Sequence, residues 1–277
     1  MNQRVTPNRG PALLDSVAGR LTTAVGAAFP GERAVFRGHD IHQELGDMDW
    51  MELYVFGITG RRFSPEQIRM LHALWTITSY PDARIWNNRV AALAGSSRST
   101  GALAIGASVA VSEAYIYGRQ NEFQAISFFI ETVKKRAAGA TLDQCIADEI
   151  RLHGRIAGYG RPLANADERI EPTMQLAREL GLADGPHVKL AFELEQHLLA
   201  SGKNLRMNYG ALVTAFGADL GLSPREFYFY AIPGFVAGMQ PVYAESADKP
   251  EGTLFPTACT QIVYQGPAQR EWPANKS

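Results

Sequence analysis

Helical periodicity with clear start signals is the feature that most constrains the fold of this chain. The stretch SPEQIRMLHALWTI, residues 64–77, opens with the Ser-Pro-x-Gln pattern of a capped helix, and its apolar residues recur at helical spacing. The Ser-Pro start recurs at Ser223, where we expect Pro233 to kink the helix that follows. Further helices are predicted near 99–117, 120–137, 141–151, 167–181, 188–201 and 208–221.

The pattern therefore indicates a mostly α protein with many helices. Residues 99–117 are apolar nearly all round and rich in glycine and alanine, which predicts a central helix packed closely on every side. Only RAVFRG, residues 33–38, is typical of a strand.

Composition sets the class of protein but not its activity. The chain has 277 residues, of which 46% are hydrophobic and 20% charged, as in a globular protein with one large or two modest domains. A net charge of −1 gives no general attraction for nucleic acid or membrane. Because neither a signal peptide nor a membrane span is visible, we expect a cytoplasmic protein with no nucleic-acid or membrane partner.

Two further compositional features fit that expectation. Cys145 and Cys259 have no metal-ligand spacing and form no disulfide framework, which suits a reducing compartment. The polar terminal segments, 1–10 and 267–277, are expected to be mobile.

The usual catalytic motifs do not assign an enzyme class. The chain has no Walker loop, no GxSxG nucleophile elbow and no HExxH pair, and GYGRPLA lacks the preceding strand and third glycine of a dinucleotide fingerprint. His39 and His42 lie three residues apart, which allows a metal pair or a surface pair. We prefer the surface pair and expect no metal site.

Five short segments, in order, resemble the citrate synthase superfamily. They are VFRGHDIHQELGDMDWMELYVFGITGRRFSPEQ (35–67), YGRQNE (117–122), GYGRPLANADER (158–169), KNLRMNYGAL (203–212) and TQIVYQGPAQREW (260–272). Respectively, they resemble that family's YRGYDI…GRLP, HGGANE, GFGHRVY…DPR, PNVDFYSGLV and RPRQIYTGP segments. The length of the chain is closer to the short citryl-CoA lyase-like members than to ordinary citrate synthases.

The resemblance implies a mostly α, citrate synthase-like fold and a homodimer. It implies a large domain, 1–118 with 216–277, and a small domain, 119–215, that closes over the active cleft. It also implies a coenzyme A thioester as co-substrate, with no tightly bound cofactor.

The same resemblance gives a role to the Gly-aromatic-Gly turn. Gly158, Tyr159 and Gly160 would present backbone groups to coenzyme A, since glycine lets a ligand approach the backbone closely. Arg155 and Lys203 would pair with its phosphates. The alternative is that the two glycines only break helices.

The chain departs from the family at the catalytic positions. Tyr117 and Arg161 stand where the family has histidines, and Arg206 stands where it has the catalytic aspartate. An arginine stays protonated, so Arg206 cannot replace a carboxylate base, and enolisation of acetyl-CoA by the usual route is not expected. Arg169 matches a carboxylate-binding arginine, whereas the late-helix arginine falls near Phe235 and the C-terminal ones at 259–261.

We expect the changed residues to converge and to bind an anionic group. Three arginines, at 161, 169 and 206, repel one another unless an anion or an acidic side chain lies between them. Tyr117 would be the acid-base group, and Asp82 is the carboxylate that we assign as a base. The expected polar contacts are Tyr80, Asn121, Asn208 and Tyr209. The alternative for each arginine is a structural ion pair with Glu122, Asp167 or Glu168.

Three functions are compatible with these residues. The first is a citrate synthase-like lyase or transferase with altered chemistry, acting on an anionic carboxylate that is CoA-linked or free. The second is a catalytically silent paralogue that binds a ligand or serves as a scaffold subunit. The third is conventional citrate synthase or citryl-CoA lyase activity. We prefer the first, because polar, tyrosine-containing replacements fit retuned chemistry better than decay.

Overall fold

Helices form most of the chain in the computed structural model, which describes residues 10–19, 21–160, 166–256 and 258–270. The helices are α1 (Pro11–Val17), α2 (Trp50–Thr59), α3 (Pro65–Thr78), α4 (Trp86–Ser96), α5 (Gly101–Val111), α6 (Arg119–Ala137), α7 (Leu142–His153), α8 (Ile170–Glu179), α9 (Pro186–Ala200), α10 (Tyr209–Asp219), α11 (Pro224–Ala231) and α12 (Val236–Asp248). None of the described helices is both long enough and apolar enough to cross a membrane. The mostly α prediction is confirmed; the tails predicted to be mobile fall largely outside the described residues.

One small antiparallel sheet precedes the main helices. Its strands are β1 (Gly26–Phe29), β2 (Arg33–Phe36) and β3 (His39–Asp40), in the order β1-β2-β3. The predicted strand is β2; β1 and β3 were not predicted. The sheet is tied to α2 by Arg37, whose Nε and Nη2 donate to the carbonyl of Gly57 at 3.1 and 2.7 Å.

The helix starts form as their capping residues predict. The Gln67 N–H donates to Ser64 Oγ at 3.3 Å, and the Ser64 N–H donates to Gln67 Oε1 at 2.9 Å, which completes the box before α3. Ser223 and Glu226 make the same pair of contacts before α11, at 3.3 and 2.8 Å.

Two helix predictions are wrong in detail. The glycine-rich helix α5 ends at Val111, and only Ala104 and Ser108 on it are buried, while Leu103 is 69% exposed. The apolar sequence of α5 therefore does not show that its own chain covers this helix on every side. Pro233 breaks the last long helix instead of kinking it, because a 3-10 turn, Ile232–Phe235, separates α11 from α12.

The chain divides into two compact units. Unit 1 comprises 1–74 and 121–231, and its largest buried side chains include Tyr209, Phe216 and Phe227. Unit 2 comprises 75–120 and 232–277. In unit 2, α4 and α12 pack closely at Gly95, where an added Cβ would lie 2.5 Å from the carbonyl oxygen of Tyr243.

These units are not divided as the predicted domains are. One boundary, near residue 119, is shared, but 1–74 belongs with the middle of the chain in unit 1. The predicted large domain, 1–118 with 216–277, and small domain, 119–215, stay a prediction, as does the closing motion between them.

Candidate functional site

The candidate site in unit 1 is built on a short antiparallel bridge between two segments, 158–160 and 206–208. Tyr159 and Met207 are the paired residues, and both are buried, with 8% and 1% of their surfaces exposed. In extended backbone the side chains of paired residues lie on one face and those of their neighbours on the other. One face of the bridge therefore belongs to the core, and the other is left to the neighbouring residues.

Those neighbours are predicted site residues. The Gly160 N–H donates to the Arg206 carbonyl at 2.7 Å, and the Asn208 N–H donates to the Gly158 carbonyl at 2.9 Å. Arg206 is exposed and Asn208 is partly buried. Gly158 is buried against Ala211 of α10, so the exposed side chain on this outer face is that of Arg206. The Asn208 side chain accepts the Ala211 N–H at 3.3 Å and donates from Nδ2 to the Gly160 carbonyl at 3.2 Å. An exposed guanidinium is suited to binding an anionic group.

The two glycines are required by the backbone of the turn. Gly158 has a φ of +88°, and a Cβ added there would lie 2.6 Å from the Cβ of Ala211. Gly160 has a φ of +92°, with 3.2 Å between such a Cβ and Cδ2 of Leu205. The helix break is made earlier, by Gly154, which caps α7 with a φ of +71°. Gly158 and Gly160 therefore shape the bridge and do not merely end a helix.

The two paired residues of the bridge are hydrogen-bonded to α9. Tyr159 donates its hydroxyl hydrogen to the carbonyl of Ala191 at 2.8 Å, and the Met207 N–H donates to Glu195 Oε1 at 2.9 Å. Burial, followed by the negative charge of Glu195, raises the pKa of Tyr159 well above its usual value. Tyr159 is thus a neutral structural anchor. Sequence reasoning missed Glu195, since nothing local marks it as a neighbour of residue 207.

A second cluster lies at the start of α10. Arg169 donates from Nε and Nη2 to the two carboxylate oxygens of Asp167, each at 2.8 Å, and its guanidinium lies 4.6 Å from the ring centre of Tyr209. Asp167 also accepts the Tyr209 N–H at 2.9 Å, and the Asp167 side chain is fully buried. Thr173 donates to the Tyr209 hydroxyl at 3.2 Å. The structural ion pair is the arrangement observed for Arg169, and its contact with substrate stays a prediction.

The remaining predicted residues of this region are Arg155, Asn121, Arg161 and Lys203. Arg161 lies outside the described residues. Lys203 is exposed, and in the described part of the chain it makes no ion pair; Arg155 is partly buried and has a partner. Asn121 is partly buried in the first turn of α6. Their contacts with a ligand stay predictions.

In unit 2, Tyr117 stands in a strained turn. It is 60% exposed and has a φ of +63°, a region that a tyrosine rarely adopts. Gly118 follows, and a Cβ there would lie 2.5 Å from the carbonyl oxygens of both Ser112 and Ala114. The Arg119 N–H donates to the Ser112 carbonyl at 2.8 Å, which closes the turn. Strain held by surrounding contacts is a recurrent feature of functional sites.

Arg119 itself is a buried cation that sequence reasoning missed. Only 3% of it is exposed, and its guanidinium lies 4.2 Å from the ring centre of Phe235. Its Nη2 donates to the Ile232 carbonyl at 3.1 Å. A guanidinium therefore lies beside residue 235, the position at which the family resemblance expects an arginine.

The remaining unit 2 predictions are Tyr80 and Asp82. Asp82 is held by Arg84, with 2.6 Å between Oδ2 and Nη2 and 2.8 Å from Oδ1 to the Arg84 backbone N. These contacts lower the pKa of Asp82 to about 2. Tyr80 is 37% exposed, and its carbonyl accepts from Nδ2 of Asn88 at 2.5 Å. The role of Asp82 as a base stays a prediction. To act as a base, its carboxylate must first separate from Arg84. The convergence of these residues with the arginines also stays a prediction.

Metal ligands are not grouped in the part of the chain that the structure describes. There, no cluster of three or more His, Cys, Asp or Glu side chains is placed to hold an ion. His39 instead contacts Glu44, with 2.7 Å from Nδ1 to Oε2. His42 is exposed.

Comparison with solved structures identifies the fold. The chain is similar to the citryl-CoA lyase from Hydrogenobacter thermophilus, with a TM-score of 0.79 and 19% identity over 91% of this chain and 97% of that one. It is similar to the citrate synthase of Thermoplasma acidophilum in complex with carboxymethyl coenzyme A and oxaloacetate. The TM-score is 0.64, with 19% identity over 82% of this chain and 60% of that one. It is also similar to a mutant ATP citrate lyase from Methanosaeta concilii in complex with (3S)-citryl-CoA. That comparison has a TM-score of 0.69 and 16% identity, over 97% of this chain and 47% of that one.

The chain therefore has the citrate synthase fold, as its sequence resemblance predicts. It spans nearly all of the citryl-CoA lyase chain, but 60% of the citrate synthase and 47% of the ATP citrate lyase. No protein-family model matches the sequence, and no curated protein matches it.

Proposed function

We propose that the protein is a citrate synthase-like lyase or carbon–carbon transferase that acts on an anionic, CoA-linked carboxylate with altered acid-base chemistry. The outer face of the 158–160/206–208 bridge carries the proposal, because it leaves the side chain of Arg206 exposed. Support also comes from the similar structures, whose names specify coenzyme A derivatives and oxaloacetate. The co-substrate would be a coenzyme A thioester, with no tightly bound cofactor.

Arg206 binds in this proposal and does not take up a proton. Its guanidinium remains charged at any ordinary pH and offers planar N–H donors that match a phosphate or carboxylate. Lys203, three residues earlier in the chain, is also exposed, and Gly160 lies opposite Arg206 in the bridge. Conventional citrate synthase or citryl-CoA lyase chemistry is disfavoured, because the matched position lacks a carboxylate.

Tyr117 is the acid-base group in this proposal. Its phenol is exposed at 60%, and its backbone is held in the left-handed region at a conformational cost. Asp82 is the candidate carboxylate partner once it separates from Arg84. Both residues belong to unit 2.

A catalytically silent, ligand-binding subunit is the second candidate. Two predicted site residues favour it, because each already forms an ion pair within the chain. Arg169 pairs with Asp167, and Asp82 pairs with Arg84. A site whose charges are already paired is suited to a structural role.

Ligand binding tests whether the protein binds the proposed substrate. The purified protein is heated with coenzyme A, acetyl-CoA or small di- and tricarboxylates, and its melting temperature is compared with that of the free protein. A ligand at 100 times its dissociation constant stabilises the fold by about 2.7 kcal/mol. We expect stabilisation by acetyl-CoA. Stabilisation by small anions alone would contradict a CoA-linked substrate.

Turnover then separates the two candidates. We expect Tyr117→Phe to abolish release of free thiol from an acyl-CoA, Arg206→Ala to weaken it, and the control Tyr115→Phe to leave it unchanged. Tyr115 is also exposed, at 74%, two residues away. If Tyr117→Phe and Arg206→Ala alter only ligand binding, the silent subunit is correct.

A second copy of the chain is the proposed partner of unit 2. Within one chain, α5 leaves Leu103 69% and Val111 40% exposed, an apolar face that a homodimer would cover. We expect sedimentation to show a dimer and Leu103→Glu to shift it toward the monomer. A monomeric wild-type protein would contradict this partner.

A further inference from the structure

We propose that Glu195 is a positioning residue that acts through Arg206. Its carboxylate fixes the peptide group that follows Arg206, and so fixes the Cα from which the side chain of Arg206 leaves the bridge. This role deepens the proposed function and rests on it, because Arg206 is there the residue that binds the anionic group.

Both polar atoms of the Arg206–Met207 peptide group are bonded to different elements. The carbonyl oxygen of Arg206 accepts the Gly160 N–H at 2.7 Å. The N–H of Met207 donates to Glu195 Oε1 at 2.9 Å. A peptide group is planar, so two bonds on opposite sides fix its plane. The Cα of Arg206 is attached directly to that plane, and the origin of its side chain is fixed with it.

The second bond would not form from the bridge alone. In a two-segment bridge of this register, the N–H of Met207 points away from Tyr159, toward the edge, where a third strand would normally accept it. No strand lies there in the described part of the chain; Glu195, on α9, supplies the acceptor. A carboxylate forms a shorter, stronger bond with N–H than a neutral acceptor does.

Glu195 lies on the same face of α9 as a second residue that holds the bridge. Ala191, one helical turn earlier, accepts the hydroxyl hydrogen of Tyr159 at 2.8 Å. One helix face therefore holds both paired residues of the bridge. Among the described residues Glu195 makes no ion pair, so its charge is directed to the peptide of Met207 and not to a surface cation.

Hydrogen exchange tests the contact without any ligand. We expect the Met207 amide to exchange at least about 10-fold faster in Glu195→Ala, because a bonded amide becomes open. Glu195→Gln keeps an oxygen acceptor and should retain the protection. The matched control is Glu193→Ala on the same helix, where Glu193 pairs with Arg136 at 2.6 Å. Unchanged exchange in Glu195→Ala would overturn the proposal.

A double-mutant cycle tests the action through Arg206, with acetyl-CoA as the probe in calorimetry. Glu195→Ala alone should weaken binding about 10-fold, as expected for a lost charge-assisted contact, and Glu195→Gln should restore most of it. In the Arg206→Ala background, Glu195→Ala should change affinity less than 2-fold, because its effect passes through the missing guanidinium. Equal effects in both backgrounds would overturn the positioning role.

The two proposals fail in different ways. If wild-type protein binds neither acetyl-CoA nor a carboxylate, the proposed function fails. Hydrogen exchange of the Met207 amide then tests only whether Glu195 holds that amide. If wild-type protein binds acetyl-CoA but Glu195→Ala binds equally well, the proposed function stands and the role of Glu195 is wrong.

Discussion

Two turns, one in each unit, carry residues of the proposed function, and both have left-handed backbone, but they place it on different residues. In the unit 1 turn the left-handed positions are Gly158 and Gly160, which adopt them without a Cβ penalty. In the unit 2 turn the left-handed residue is Tyr117, and a glycine stands only at the next position. The first turn has no side chain at its left-handed positions, whereas the second retains one at a conformational cost. The proposed acid-base role of the Tyr117 phenol would give that cost a function.

The largest expected effect breaks the glycine turn. Gly158→Ala would force an alanine into a φ of +88° and place its Cβ 2.6 Å from the Cβ of Ala211, so we expect a loss of about 3 kcal/mol or more. Gly154→Ala is the control, because its φ is +71° but nothing lies within 4 Å, and about 1 kcal/mol is expected. Urea unfolding measures both. Equal losses would show that packing against α10 is unimportant.

The next effect compares a buried ion pair in unit 1 with an exposed one in unit 2. Asp167→Asn removes a fully buried carboxylate charge from Arg169, which is itself one-fifth exposed, so we expect a loss of about 2 kcal/mol. Asp82→Asn removes an exposed charge from Arg84 and should lower the melting temperature much less. Calorimetric melting of both variants tests the contrast. A larger loss for Asp82→Asn would reverse the account.

A smaller effect of opposite sign tests the strained turn. Tyr117→Gly should stabilise the fold by about 1 kcal/mol, because the φ of +63° then carries no Cβ penalty. The same change should abolish turnover, while Tyr117→Phe should leave stability unchanged. Denaturant unfolding and thiol release measure the two effects. If Tyr117→Gly destabilises the protein, the strain does not exist.

The smallest effect concerns the titration of Asp82. Its pKa of about 2 lies below the usual value of about 3.9, so the stabilising contribution of its contacts with Arg84 is present above pH ~4 and is lost as the pH falls through about 2. Arg84→Ala should return the pKa toward the usual value. Carbon-detected NMR of the carboxyl group follows both proteins. An unchanged pKa would mean that Arg84 does not hold Asp82.

Local signals predicted much of the helical framework, and the family resemblance supplied the order of the site segments. Capping pairs such as Ser64 with Gln67 depend on residues three positions apart, so they are visible in sequence. The contacts of Glu195 and Arg119 connect distant segments and have no local pattern. The exposure of α5 was mispredicted, because an apolar helix face looks the same whether its own chain or another molecule covers it.

The strain at Tyr117 was equally hidden. Glycine marks left-handed backbone in sequence, and tyrosine does not. The pairing of Arg169 with Asp167 was foreseen only as an alternative, because a nearby acidic residue in sequence does not show which side of the guanidinium it occupies.

The most direct test of the central claim is calorimetric titration of acetyl-CoA into wild-type protein, Arg206→Ala and Arg69→Ala. Arg69 is a matched control, since it is an exposed arginine of unit 1 that lies on α3, outside the bridge. The account predicts binding to wild type, a loss of about 10-fold or more in Arg206→Ala, and less than 2-fold change in Arg69→Ala. Equal affinities in all three proteins, or no binding to wild type, would contradict it.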